Sequence, residues 1–265
     1  MKTIIRVFLL ITAITLFSCN TKQKQTATEN EDKEAAAIEK TQPSQAELLV
    51  NDAIEAHGGA LYDTAHYGFT FRDKAYTFKN TKSTYRYSVN SIKNTDTIYD
   101  ILENGTLTRT INGKIVPLSE KDNATYTEAL NSVIYFVTLP SKLNDKAVNK
   151  TYEGPATIKG QEYELLGIDF NKEGGGVDYD DKFMYWINTD TKTVDYLAYS
   201  YSTNDGGVRF RSAFNPRNVE GIHFQDYINY EVPIGTPLKA LSGLYKKGEL
   251  KELSRILTEN IQTLK

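Results

Sequence analysis

Along most of the chain, apolar and polar residues alternate in short runs separated by turn-forming residues. Tyr67 to Arg72, Thr84 to Val89, Thr97 to Glu103 and Leu107 to Ile111 predict four short strands rich in β-branched and aromatic side chains. Asn112-Gly113 is the clearest hairpin cue beside them. Longer strands are predicted over Glu162 to Phe170, Phe183 to Asn188, Thr193 to Tyr201, Val208 to Phe214 and Gly221 to Val232. The turns Asn188 to Lys192 and Asn204 to Gly207 join neighbours among them.

Three segments carry a helical period instead. Ser44 and Glu47 form a capping-box pattern after Pro43, opening a helix through Leu49, Val50, Ala53, Ile54 and His57 that Gly58-Gly59 stops. A second begins near Asp122 or Asn123, and Tyr126, Leu130, Val133 and Val137 keep a three-to-four spacing up to Leu139-Pro140. Thr236-Pro237 opens the third, with Gly248 as a break and Leu253, Leu257, Ile261 and Leu264 as an apolar stripe. Consecutive hairpins with helices at the start, middle and end predict an α+β fold with an antiparallel meander.

The two ends of the composition differ. Lys2 and Arg6 precede Val7 to Phe17, a run apolar except at Thr12 and Thr15. A bilayer needs about 20 apolar residues for a spanning helix, so residues 1–18 read as a secretory signal. Asn20 to Pro43 is rich in Lys, Gln, Thr and Glu, and cannot bury enough surface to offset its ordering entropy. Residues 19–43 are therefore expected to be a disordered tether, and residues 44–265 a single domain. Cys19 is the only cysteine, so no internal disulfide can support the fold. Without the first 18 residues, 29 basic face 34 acidic residues, a net of −5. No concentrated basic stripe speaks for a nucleic-acid partner.

Leu16-Phe17-Ser18-Cys19 resembles the lipobox of bacterial lipoproteins, departing from it in the bulk of Phe17. That resemblance implies lipidation of Cys19 and residence in the cell envelope, at the outer membrane in preference to the inner. The domain would then lie in the periplasm or at the cell surface. The order of strands and helices resembles the half-barrel of periplasmic lipoprotein-localisation carriers, which implies a curved antiparallel sheet with helices on its concave side over an apolar cavity. A closer resemblance is to a family of bacterial lipoproteins of no assigned activity. It runs through Ala56-His57-Gly58-Gly59, through Pro140, Leu143, Asp145, Ala147-Val148 and Lys150, and through Tyr185-Trp186-Ile187-Asn188. It continues through Gly207-Val208-Arg209-Phe210-Arg211 and ends on Gly221-Ile222, Phe224, Asp226-Tyr227 and Asn229-Tyr230.

Candidate chemistry is sparse. His57, His66 and His223 lack the spacing of a metal-ligand set, and no nucleophile elbow accompanies them. Gly174-Gly175-Gly176 with Asp178, Asp180 and Asp181 lacks the lysine of a phosphate loop and the ligand spacing of a calcium hand, so a mobile acidic loop is expected. Strand alternation sends Arg209 and Arg211 to one face and Val208, Phe210 and Phe214 to the other. The two guanidinium groups either clamp a carboxylate or phosphate, or pair with acids such as Asp195 or Glu231, and structural pairing is the expectation. Asp226 interrupts the apolar series Ile222, Phe224, Ile228, Tyr230, Val232 and, as a buried support, needs an arginine or backbone donors. Trp186, Tyr185, Phe210, Phe224 and Tyr227 either line a ligand cavity or fill a core.

The expected protein is a monomeric, membrane-anchored envelope lipoprotein, neither enzyme nor metal or cofactor carrier, holding a hydrophobic or lipid-like amphiphilic ligand. The alternative is an envelope interaction module with a filled core and a protein or polysaccharide partner. The anchor is directly testable. Cys19→Ser should abolish incorporation of a clickable palmitate analogue in the native host. Equal labelling of wild type and variant would refute lipidation at this residue.

Overall fold

Ser44 starts the first helix as a capping box: its hydroxyl accepts from Glu47 N–H at 3.3 Å, and the Glu47 carboxylate accepts from Ser44 N–H at 2.7 Å. The computed structural model describes residues 42–173, 179–202 and 205–265. The lipobox cysteine, nearly all of the expected tether, Gly174 to Gly176 and Asp178 lie outside them. Residues 43–265 form one unit. Helix α1 (Gln45–Ala56) buries Ala46, Leu49, Val50 and Ala53. Gly58 follows with φ +127°, and a side chain there would strike Ile222.

Two seven-stranded antiparallel sheets make the body of the fold. The first holds β1 (His66–Phe71), β2 (Lys74–Asn80), β3 (Tyr85–Lys93), β4 (Asp96–Glu103), β5 (Thr106–Ile111) and β6 (Lys114–Val116) in chain order. The second holds β7 (Val148–Ile158), β8 (Gln161–Phe170), β9 (Lys182–Asn188), β10 (Val194–Tyr201), β11 (Gly207–Val219) and β12 (Ile222–Val232), also in order. Hairpin chemistry explains the meander. Asn112 and Gly113 take φ +53° and +79° between β5 and β6, the left-handed pair a tight two-residue turn demands. The sheets are curved and unclosed, as the α+β reading anticipated.

β2 and β7 were not anticipated. β2 is a plain alternation, with Tyr76 and Phe78 buried between exposed lysines. β7 carries Gly154 and Pro155 beside a bulge, and β7 is the edge of its sheet, two of the settings in which a strand tolerates proline.

The third helical region needs a larger correction. A 3₁₀ turn (Leu238–Ala240) leads into α3 (Leu241–Lys247), which Gly248 ends in the left-handed region at φ +72°. Beyond it, Leu253, Leu257, Ile261 and Leu264 mark no helix. β13 (Lys251–Ile256) pairs with β12 at the edge of the second sheet, and β14 (Thr258–Thr263) pairs with β1 at the edge of the first. Only Leu257 separates them. Two open strand edges offered backbone partners that an isolated helical stripe could not match.

Asp226 holds that crossing. Only 3% exposed, it accepts from Thr258 N–H and from Arg217 Nη2, both at 2.9 Å, and from Asn215 Nδ2 at 2.8 Å. Arg217 also donates to the Thr258 carbonyl. The arginine and the backbone donor that a buried carboxylate requires are thus both present.

Helix α2 (Glu120–Val137) has Ser119 as its cap. Among the described residues, no helix is long and apolar enough to cross a membrane.

Breaking the Asp226 cluster should cost far more than breaking a surface pair. Asp226→Ala should lose roughly 3–5 kcal/mol in urea unfolding. Arg86→Ala, whose partner Glu103 is half exposed, should lose less than about 1 kcal/mol. Similar losses in both would remove the crossing from its structural role.

Candidate functional site: a groove along the central helix

Helix α2 serves both sheets. Leu130 and Ile134 enter a core with Tyr76, Phe78, Tyr87, Leu102 and Leu107 of the first sheet. Arg109 fixes the same flank: it grips Asp100 through two bonds of 2.6 and 2.7 Å and lies 3.4 Å over the Tyr126 ring. The opposite flank, Tyr135 and Phe136, packs against Phe183, Tyr185 and Tyr199 of the second sheet. Helix α1 covers the same sheet face, while α3 covers the other.

The remaining face of α2 carries Ala124, Thr127, Glu128 and Asn131, too small or polar to fill the space before it. A groove of about 1010 Å³ results. Its far wall is mainly aromatic, formed by Phe170, Phe183, Tyr199, Tyr201 and Phe71, with Ile256, while Val133 of α2 and Leu118 just before the helix complete the lining. Phe183 stands at the centre of that wall, with ring centroids 5.4 Å from Tyr199, 5.8 Å from Phe170 and 6.3 Å from Phe136. Tyr135, which also lines the groove, meets the Tyr185 hydroxyl at 3.3 Å. Burial pushes the Tyr135 phenol up to about 12 and the Tyr185 phenol well above its ordinary value, so both stay neutral.

Among the described residues, one cation lines this groove. Arg211 is 7% exposed, with its guanidinium carbon 3.9 Å from the Phe136 ring centroid and 5.0 Å from that of Tyr199. Its Nη2 donates to the Tyr199 hydroxyl at 2.8 Å, and its Nε has no hydrogen-bond partner. Among the described residues, no ion pair includes it.

The sequence candidates scatter around the groove. Arg209 shares the strand face but donates to the Val208 carbonyl at 2.9 Å and lies over Tyr201. Neither arginine meets the acids named for them. Asp195 accepts from Asn188, Tyr163 and Thr193, and Glu231 pairs with Lys251 at 3.4 Å. Trp186 and Phe210 lie on the opposite sheet face, 5.5 Å apart edge to face, in a core with Leu241 of α3. Phe224 packs on Tyr67 in the core of the first sheet, and Tyr227 lies among the α1 contacts. None of these four lines the groove. The residues that do, Phe136 and Phe183 above all, had a readable signal. Tyr135 and Phe136 fall outside the apolar stripe of α2, as they do when a helix is buried on two sides.

The histidines act on the fold. His57 Nε2 accepts from Val194 N–H at 3.1 Å, so its proton sits on Nδ1. The His223 ring stands 4.7 Å away, and His223 N–H donates to the His57 carbonyl at 3.0 Å. His57 thus ties the end of α1 to β10 and β12. His66, on β1, stands apart. Asp181 is buried on the groove wall and Asp180 accepts from Ser202. No cluster of three or more metal-ligating side chains forms among the described residues.

The chain belongs to a family of unknown function, DUF6503, whose profile matches residues 5–258. No curated protein matches it. Among solved structures it is similar to a LolA-superfamily protein of Nitrosomonas europaea, 9% identical with a TM-score of 0.48 over 84% of this chain and 95% of that one. A DUF1329 family protein of Desulfovibrio piger is 12% identical, with a TM-score of 0.44 over 83% and 94%. A putative outer membrane lipoprotein-sorting protein domain of Vibrio parahaemolyticus is 6% identical, with a TM-score of 0.41 over 81% and 93%.

His57 makes stability depend on pH. Burial, and then the neighbouring His223 ring, push it from 6.5 down to about 3. Protons therefore bind the unfolded chain first, and stability is lost as pH falls from 6.5 toward 3. Between pH 7 and pH 5 the wild type should lose ~2 kcal/mol through this group. His57→Gln should be less stable at pH 7 but lose correspondingly less on acidification. Equal acid losses in both proteins would exclude His57 as the cause.

Proposed function

We propose that this member of the DUF6503 family is a binding protein of the cell envelope, held to a membrane through lipid on Cys19, and that its groove takes a hydrophobic or amphiphilic molecule. The observation that carries the reading is the unfilled space of about 1010 Å³ between α2 and an aromatic wall. Binding sites for small molecules occupy roughly 300–1,000 Å³ and are mostly apolar with a few placed polar groups. This groove matches that description in size and in lining. The role is binding without turnover, since hydrocarbon and neutral phenols dominate the wall. A module with a filled core fits the same fold less well, because the space beside α2 is open.

The wall recognises chain length more than chemical detail. Each methylene transferred from water onto it contributes roughly 0.8 kcal/mol, which is about a fourfold gain in affinity. Displacement of a fluorescent apolar probe by straight-chain alcohols should follow that increment until the groove is full. Ala124 is exposed on the groove face of α2, so Ala124→Trp fills the space without entering a core. That variant should keep the wild-type melting temperature and bind at least tenfold more weakly. Alcohols that fail to displace the probe, or an Ala124→Trp protein that binds as the wild type does, would refute the groove as the site.

A further inference from the structure

On that reading of the groove, we infer that it selects chains ending in a negatively charged oxygen head group, and that Arg211 receives it. Arg211 is more than nine-tenths buried and lines the groove. A guanidinium has five N–H donors and never acts as an acceptor. Here one of them meets the Tyr199 hydroxyl at 2.8 Å, while the Nε–H is without a partner. Burying a charge in this way is costly unless an opposite charge and further hydrogen bonds complete it. Its surroundings are aromatic: Phe136 and Tyr199 flank the guanidinium plane, and the buried phenols of Tyr185 and Tyr227 stay neutral.

A carboxylate or phosphate ester entering along the groove completes the site. It takes the terminal N–H groups that the Tyr199 bond leaves over, in the side-by-side geometry that oxygen pairs favour, and its charge offsets the burial of the Nε behind them. Tyr199, which accepts from Arg211, keeps its own hydroxyl proton to donate to the same anion. The chain behind the head group then runs over Phe183 and Phe136. Among the described residues, three acids also face the groove, and none of them forms an ion pair with Arg211. Glu128 and Asp181 are each already engaged, and Glu120 is exposed in the first turn of α2.

Four twelve-carbon probes of equal chain length test the assignment: dodecanol, dodecanoate, dodecyl phosphate and dodecyltrimethylammonium. Wild-type protein should bind one or both anions roughly 10- to 100-fold more tightly than the alcohol, with the ammonium weakest. The carboxylate and phosphate arms then distinguish a fatty-acid head from a phospholipid-like one. Arg211→Met should bring all four within about threefold of one another, with the two anions losing the most affinity. Arg211→Lys, which keeps charge but loses the paired geometry, should retain part of the preference. Wild-type protein that binds dodecanol as tightly as the anions, or that prefers the ammonium, overturns the head-group assignment and leaves the groove standing. Failure of all four to bind refutes the groove reading itself. The wild-type comparison decides the matter even if a variant does not fold.

Discussion

The fold depends on one buried carboxylate at the place where the chain leaves one sheet for the other. β13 closes the second sheet, β14 closes the first, and a single residue separates them. Asp226 reaches across this point to the Thr258 N–H while Arg217 binds both the carboxylate and the Thr258 carbonyl. Backbone at a crossing cannot satisfy itself within either ladder, so side chains must do it. The groove inherits this constraint. Ile256 and Phe71, which line it, come from the two sheets and flank Thr258: Ile256 precedes it by two residues and Phe71 pairs with it in register. Setting the crossing therefore sets how Phe71 and Ile256 lie relative to one another in the groove lining.

Helix α2 then decides that the space between those walls stays open. It is anchored on one flank by Leu130, Ile134 and the Arg109–Tyr126 contact, and on the other by Tyr135 and Phe136. A helix held on two sides cannot sink toward either sheet. Its third face is short of apolar volume at Ala124, Thr127 and Asn131. Protein interiors normally pack to the density of organic crystals, and here the aromatic wall of Phe170, Phe183 and Tyr199 faces space that the helix does not fill.

Much of this was legible in the sequence, though unevenly. Period-two alternation located most strands, because a strand with one buried face must alternate. Asp226 was legible for the same reason: one charge in an apolar series has to be paired. The region after Gly248 misled, since Leu253, Leu257, Ile261 and Leu264 have a helical spacing that says nothing about two sheet edges waiting far away in sequence. Alternation also grouped Arg211 apart from Phe210 correctly but could not say which sheet face would be open. That depended on α3, whose Leu241 seals Trp186 and Phe210 into a packed core. Phe224 and Tyr227 are taken up in the same way by Tyr67 of β1 and by the α1 contacts.

Asp226 and Arg211 lie on neighbouring strands, both nearly fully buried, and the fold treats them in opposite ways. Asp226 receives three donors, one of them charged, so its two oxygens are satisfied within the chain. Arg211 receives a phenol and two aromatic faces, and its Nε is left with nothing. Asp195, on the adjacent strand, is spent on Tyr163, Asn188 and Thr193. A sequence that solves one buried charge completely and leaves another incomplete is locally consistent at the first and inconsistent at the second. Such departures concentrate where a protein meets its ligand, because a site satisfied from within has nothing left to offer. Asp226 belongs to folding, and Arg211 is the charge that the proposed head group would complete.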